Sequence, residues 1–283
     1  MKQKIITIGL IQTKVAQDRQ ANLEKTVKMI AWAAKKGAQI VCLQELFQTI
    51  YFPQYKKADK DKYAESVPGA VTNALSVLAK ELGVVIIAPV FEKKNGRYYN
   101  CAAVINEKGK LLPTYHKIHI PQDRFFYEKN YFEQGSGDYK IHKTKFCRLS
   151  ALICYDQWFP EAARMAALAG AEIIFYPTAI GGIVGHKSKD GDWHGAWETV
   201  MRGHAIANSV AVAAVNRVGR EDKLRFWGQS FVCDSFGKVI GRASTTKEQA
   251  LVVKVNLSRN LSIREGWGFF KNRRPDTYRL TEK

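Results

Sequence analysis

Residues 146–177 read "FCRLSALICYDQWFPEAARMAALAGAEIIFYP". The run 146–154 is apolar and β-like, Pro160 opens a helical pattern that Gly170 closes, and "AEIIFYP" is a second apolar run. This is a β-α-β unit in the middle of the chain. Cys154 stands at the end of its first strand, where a sheet presents side chains to a ligand, and not inside the run, where an inert packing cysteine would sit. Position alone does not separate those two roles.

Upstream, the same order occurs. "IITIGLIQ" (5–12) reads as a strand, a helical pattern follows with Leu23, Val27, Ile30 and Ala34 on one face, and "IVCLQEL" (40–46) is the next strand. A helix over roughly 70–82 ends at Gly83 and leads into "VVIIAPVFE". Two hairpins follow, turning at "KKNGR" and "EKGK". Downstream of 177, a helix over roughly 192–208 precedes "VAVAAVN", "GQSFVCDSFGKVI" (turning at Phe236-Gly237) and "ALVVKVNL". Each half is thus βαβα followed by consecutive strands. The repeat predicts an α/β fold of two similar mixed sheets with helices on their outer faces, in a single domain spanning 1–283. The tail from Ser258 has little periodicity and is expected either to cross onto a neighbouring subunit or to lie along its own chain.

With 46% hydrophobic and 25% charged residues, the 283-residue chain can bury a large core. The N-terminal apolar stretch is broken by Thr7, Gly9 and Gln12, which excludes a signal peptide, and no run is long enough to span a membrane. A cytoplasmic location is expected. Five dispersed cysteines give neither a disulfide framework nor a zinc ribbon, and His116-x-x-His119 has no third ligand at a recognisable spacing, so no metal is expected. The formal charge of +18 is spread over the whole chain with no basic arm, which argues against nucleic acid and for a generally basic surface.

Four residues draw attention on chemical grounds. Glu45 is a carboxylate at a strand end, where α/β sheets bind ligands, although an ordinary solvated charge would look the same. Lys117, in "YHKIHIP", lies between apolar neighbours and needs an anionic partner if it points inward. Glu128 has four aromatic residues within three positions, a setting that raises a carboxyl pKa and suits proton transfer. For Cys154, the helix starting near Pro160 and a nearby lysine are expected to favour thiolate. Neither His116 nor His119 shows the Asn or Asp arrangement of a cysteine–histidine triad.

In order along the chain, "QE" (44–45), "YHKIHIP", "FYEKNYF", "LICYDQWFPEAAR", "FYPTAIG" and "VMRGHAIAN" together resemble the nitrilase superfamily of carbon–nitrogen hydrolases. The resemblance runs from the first strand to "FFKNRRPDTY" and is strongest to its N-carbamoylputrescine amidase branch. It implies a four-layer αββα sandwich with internal pseudo-symmetry, a Glu45-Lys117-Cys154 triad with Glu128 as the second glutamate, homo-oligomers, and no metal or organic cofactor. The implied reaction is cysteine-dependent hydrolysis of a small N-carbamoyl amine, with an N-carbamoyl amino acid or ω-amide as the alternative substrate. A scaffold that has lost catalysis would not need all four residues. Tyr127, Tyr155, Asp156 and Trp158 are the expected substrate contacts. The chain departs from plant-type members, which carry S-E-P after T-A-I-G. It has Gly182-Ile183-Val184 instead, so an acid for an amine is missing there, with His186 and Asp190 as possible substitutes. Arg164 and Arg202 are the candidates for an acidic substrate, against a plain helix-surface role.

Overall fold

The computed structural model describes residues 3–186 and 189–278. Its first sheet has the strand order Gln249–Asn256, Ile5–Gln12, Ile40–Leu43, Val85–Lys94, Arg97–Ile105 and Tyr115–His116. The second runs His142–Lys143, Arg148–Ala151, Ile173–Pro177, Ala211–Val215, Phe231–Cys233 and Val239–Arg242. Both sheets have three parallel strands in the middle, joined by one antiparallel pairing on one side and two successive antiparallel pairings on the other. Strand for strand, the halves repeat.

Helices α1 (Arg19–Lys35) and α2 (Ala70–Leu82) connect the parallel strands of the first sheet, and α3 (Pro160–Leu168) and α4 (Trp193–Asn208) do the same in the second. Residues with period two decide the layers. Ile6, Ile8, Leu10, Ile40, Cys42, Val85 and Ile87 enter the core shared with the second sheet. Ile11, Val41, Leu43, Ile86 and Ala88 pack outward with α1 and α2. Strands buried on both faces read as unbroken apolar runs, which is why these segments lack a polar alternation. Gly9 lets α1 approach closely, since a Cβ there would lie 3.1 Å from the Ala33 Cβ.

Three expectations need correction. In α1 the most buried positions are Asn22, Thr26, Ile30 and Ala33, so the inner face is turned by about one residue from the apolar stripe. Asn22 is buried because its side chain holds the backbone of Ala16 and Gln48. The strand of 249–256 does not extend the second sheet but pairs antiparallel with Ile5–Gln12 along its whole length. The tail is not irregular: Ser258–Trp267 is a helix, α5, tied to its own chain through Arg259–Asp234 and Asn260 to the Glu172 carbonyl. Among the described residues no helix is long and apolar enough to cross a membrane.

Candidate active site

Glu45, Lys117, Glu128 and Cys154 meet where the ends of the two sheets face each other. Glu45 lies two residues beyond Ile40–Leu43, in a turn where Leu46 has φ of 48°. That turn is held from the other half of the molecule. The fully buried Arg217 donates to the carbonyls of Glu45 (2.7 Å), Leu46 (3.1 Å) and Thr49 (3.3 Å), and pairs with Glu221 at 2.7 Å. Glu221 in turn accepts from the backbone N–H of Tyr51.

Lys117 follows the edge strand Tyr115–His116 and is fully buried. Its Nζ is 2.9 Å from Glu45 Oε1 and 2.6 Å from Glu128 Oε2. Glu45 Oε1 also accepts from Asn100 Nδ2, and Glu128 Oε1 from the Tyr51 hydroxyl at 2.6 Å. The second oxygen of Glu45 is buried and has no partner among the described residues. It is the one carboxylate oxygen of this pair left free to take a proton.

Burial by itself would lower the Lys117 pKa, but the charges of Glu128 and Glu45 outweigh it, so the ammonium is held above its ordinary range. Burial pushes the Glu128 carboxyl up, and repulsion from Glu45 adds to this. Lys117 and Tyr51 pull the other way, leaving it at about 7. Desolvation, with Glu45 beside it, raises the Cys154 thiol well above its usual value, while Lys117 and a hydrogen bond with Thr178 offset part of the rise. The expectation of a resting thiolate is therefore corrected. The 3₁₀ turn Cys154–Trp158 separates the sulfur from the start of α3, and the neighbouring carboxylates oppose the negative charge.

Cys154 itself has φ of 43°, a left-handed conformation that costs a non-glycine residue roughly 1–3 kcal/mol. Asp156 secures this elbow. Its Oδ2 accepts from Ile153 N (2.9 Å) and the Tyr115 hydroxyl (2.7 Å), and its Oδ1 from His119 N (3.0 Å) and Nδ1 (2.7 Å). With both oxygens engaged and the side chain buried, Asp156 braces the Cys154 turn and is not placed to contact a substrate. On the other side, Gln157 Oε1 receives the Trp197 indole N–H and the Thr178 hydroxyl.

Cys154 is 7% exposed and stands in the wall of a cleft of about 330 Å³. Tyr155 and Trp158 line this cleft, as do Glu128, Phe126, Trp193, Asp123 and Gly181. Tyr127 does not. It neighbours Phe126 on a short strand, so its ring turns to the opposite side, against Lys56 and Phe125. Ile183 joins an apolar cluster with Leu224, and neither His186 nor Asp190 lines the cleft. Arg164 and Arg202 are spent on the Ala207 and Gly237 carbonyls.

Sequence reasoning missed Tyr51, Asn100, Thr178 and Arg217. Arg217 carried a usable signal, because it follows the apolar run "VAVAAVN" as Glu45 follows "IVCL". The others are ordinary polar residues whose partners are remote in sequence.

A layered α/β sandwich with a thiol, two carboxylates and an ammonium gathered under a small cleft defines a hydrolytic enzyme class. The profile of the carbon-nitrogen hydrolase family matches residues 7–265, and the chain belongs to that family. It is 39% identical to N-carbamoylputrescine amidase of Solanum lycopersicum, over 99% of this chain and 95% of the relative. It is 34% identical to citrullinase of Francisella tularensis, over 96% of each. A carbon-nitrogen hydrolase from Helicobacter pylori G27 superposes with a TM-score of 0.92 at 37% identity, covering 97% of both chains. The protein is an amidase-type carbon–nitrogen hydrolase.

Proposed function

We propose that the protein hydrolyses the ureido group of a small N-carbamoyl amine, with N-carbamoylputrescine as the preferred substrate. The observation that carries this reading is the buried Glu45-Lys117-Glu128 ion cluster beside the Cys154 thiol at the foot of the cleft. Glu45 takes the thiol proton through its free oxygen and Cys154 attacks the ureido carbonyl. Lys117 and the backbone N–H of Tyr155 stabilise the oxyanion. Glu45 returns the proton to the departing ammonia or amine, leaving a thiocarbamate on Cys154, and then activates the water that hydrolyses it to a carbamic acid, whose remaining C–N bond breaks as carbon dioxide is lost. The products are the amine, ammonia and carbon dioxide. Glu128 holds Lys117 in place.

The aromatic side chains of Phe126, Tyr155, Trp158 and Trp193 suit a cationic amine, and Asp123 supplies the acid that is absent at Ile183. Among the described residues no arginine or lysine lines the cleft, which disfavours a carboxylate-bearing substrate such as an N-carbamoyl amino acid. Ammonia release from N-carbamoylputrescine, citrulline, N-carbamoyl-β-alanine and a simple ω-amide, measured side by side, tests the choice. N-carbamoylputrescine should give the highest kcat/KM, and Asp123→Asn should raise its KM while leaving uncharged amides unaffected. Faster turnover of citrulline or N-carbamoyl-β-alanine would overturn the amine assignment.

A further inference from the structure

On the face of the first sheet opposite the catalytic cluster, period-two alternation brings three chemically unlike side chains together. Cys101 and His116 are cross-strand partners on Arg97–Ile105 and Tyr115–His116, and Glu92 projects from the adjoining strand Val85–Lys94. Lys117 points inward to Glu45, so its neighbour His116 points outward. We propose that Glu92, Cys101 and His116 form a binding site for a zinc-like divalent cation, distinct from the hydrolytic site.

The donor atoms, one sulfur, one ring nitrogen and one carboxylate oxygen, all lie within 4.8 Å of one another. His116 Nε2 is 2.5 Å from Glu92 Oε2, and the Cys101 sulfur lies within 4.8 Å of both. On binding, the thiol proton and the proton shared by His116 and Glu92 leave to solvent. Thiolate and carboxylate then cancel the two positive charges, so a neutral unit is buried. A thiolate and an imidazole select zinc or cobalt over magnesium and calcium, which prefer oxygen donors. Three protein ligands leave a fourth tetrahedral position for water.

Two further features fit this use. The ring of Tyr99 stacks on His116 with centroids 4.2 Å apart, which fixes the imidazole orientation, as outer partners of metal-binding histidines do. Cys101 and Glu92 are buried, but the His116 side chain is 18% exposed and opens on a surface depression shared with Lys94 and Arg97. This gives an ion a route in. The two flanking cations stand at the solvent edge, where salt screens their repulsion. His119 takes no part, since both its N–H and its ring are committed to Asp156. In sequence the site is invisible because its ligands come from three strands with no common spacing.

Cobalt(II) titration of the full chain, carried out in the Cys154→Ala background to remove the catalytic thiol, tests the proposal. One equivalent should bind with a near-ultraviolet thiolate-to-cobalt charge-transfer band, and zinc should displace it. The band should vanish in Cys101→Ser. In His116→Ala, whose partly exposed site tolerates truncation, affinity should fall by at least the roughly 10- to 100-fold that outer partners alone are worth. Absence of the band in the parent, or a band and affinity unchanged by either substitution, would overturn it.

Discussion

Glu128 faces two opposing demands, because a carboxylate must neutralise Lys117 while burial and Glu45 both favour its protonated form. At about 7 its carboxyl titrates inside the working pH range, so activity should decline as pH falls through that region and Lys117 loses its partner. Tyr51 lowers this value by donating to Oε1. Tyr51→Phe removes a hydrogen bond to a charged group, costing about 1.5–3 kcal/mol of stability. It should also shift the acid limb of the kcat/KM profile to higher pH, and an unmoved limb would sever Glu128 from that titration. The stability linkage has the opposite sense to that of a salt-bridged surface acid. Because the folded pKa lies above the ordinary 4.5, the favourable contribution is complete below that value and disappears as pH rises through about 7. Unfolding free energies of Glu128→Gln and the parent, measured across that window, should diverge accordingly. Cys154→Ala and Cys154→Ser should each keep the fold and abolish turnover, checked by circular dichroism alongside ammonia release.

The turn after Ile40–Leu43 shows how one element is made to carry the Glu45 carboxylate into the cluster. Its carbonyls cannot pair within a sheet, and Leu46 is in a left-handed conformation. Arg217 supplies the missing donors from the opposite half and is neutralised by Glu221. Arg217→Met would leave a buried carboxylate and three carbonyls without this partner, a loss of about 3–5 kcal/mol. Thermal unfolding should register that cost. Well below the transition, kcat should fall more than KM, because the displaced group is Glu45 and not a residue lining the cleft. An unchanged kcat would show that the turn keeps its shape unaided. Much of this level was legible in the sequence. Apolar runs, Pro160, and the Asn95-Gly96 turn with φ of 51° and 75° mark the strands, α3 and the first hairpin correctly. Glu45, Lys117 and Cys154 stood out because each closes a β-like run. Legibility stops at the cross-sheet contacts: Arg217 to the Glu45 turn, Asp156 to the Cys154 elbow and Cys101 to His116 depend on which strands become neighbours, and local pattern does not encode that.

At the scale of the whole molecule, the two similar halves are interlocked and not merely stacked. Strand 249–256 leaves the second half, pairs with all eight residues of Ile5–Gln12 and covers what would be an open edge of the first sheet. Since Glu45 and Lys117 come from one half and Cys154 and Arg217 from the other, the site exists only while the halves are joined. Repetition in the sequence revealed the two sheets but concealed this exchange, because a strand's pattern is the same whichever sheet receives it. A chain ending at residue 248 should therefore lose far more than a terminal strand. Its first sheet would expose the backbone of an apolar edge, a template for intermolecular pairing, and Ile6, Ile8 and Leu10 would lose Val253 and Val255 from the shared core. A chain ending at residue 257 keeps that strand and removes α5 with the segment beyond it, whose Phe270 packs against the margin of the shared core. Sedimentation and ammonia release should separate the two: aggregation without activity for the first, a folded and at least partly active enzyme for the second. A soluble, active chain ending at 248 would show that the crossing strand is dispensable for joining the halves.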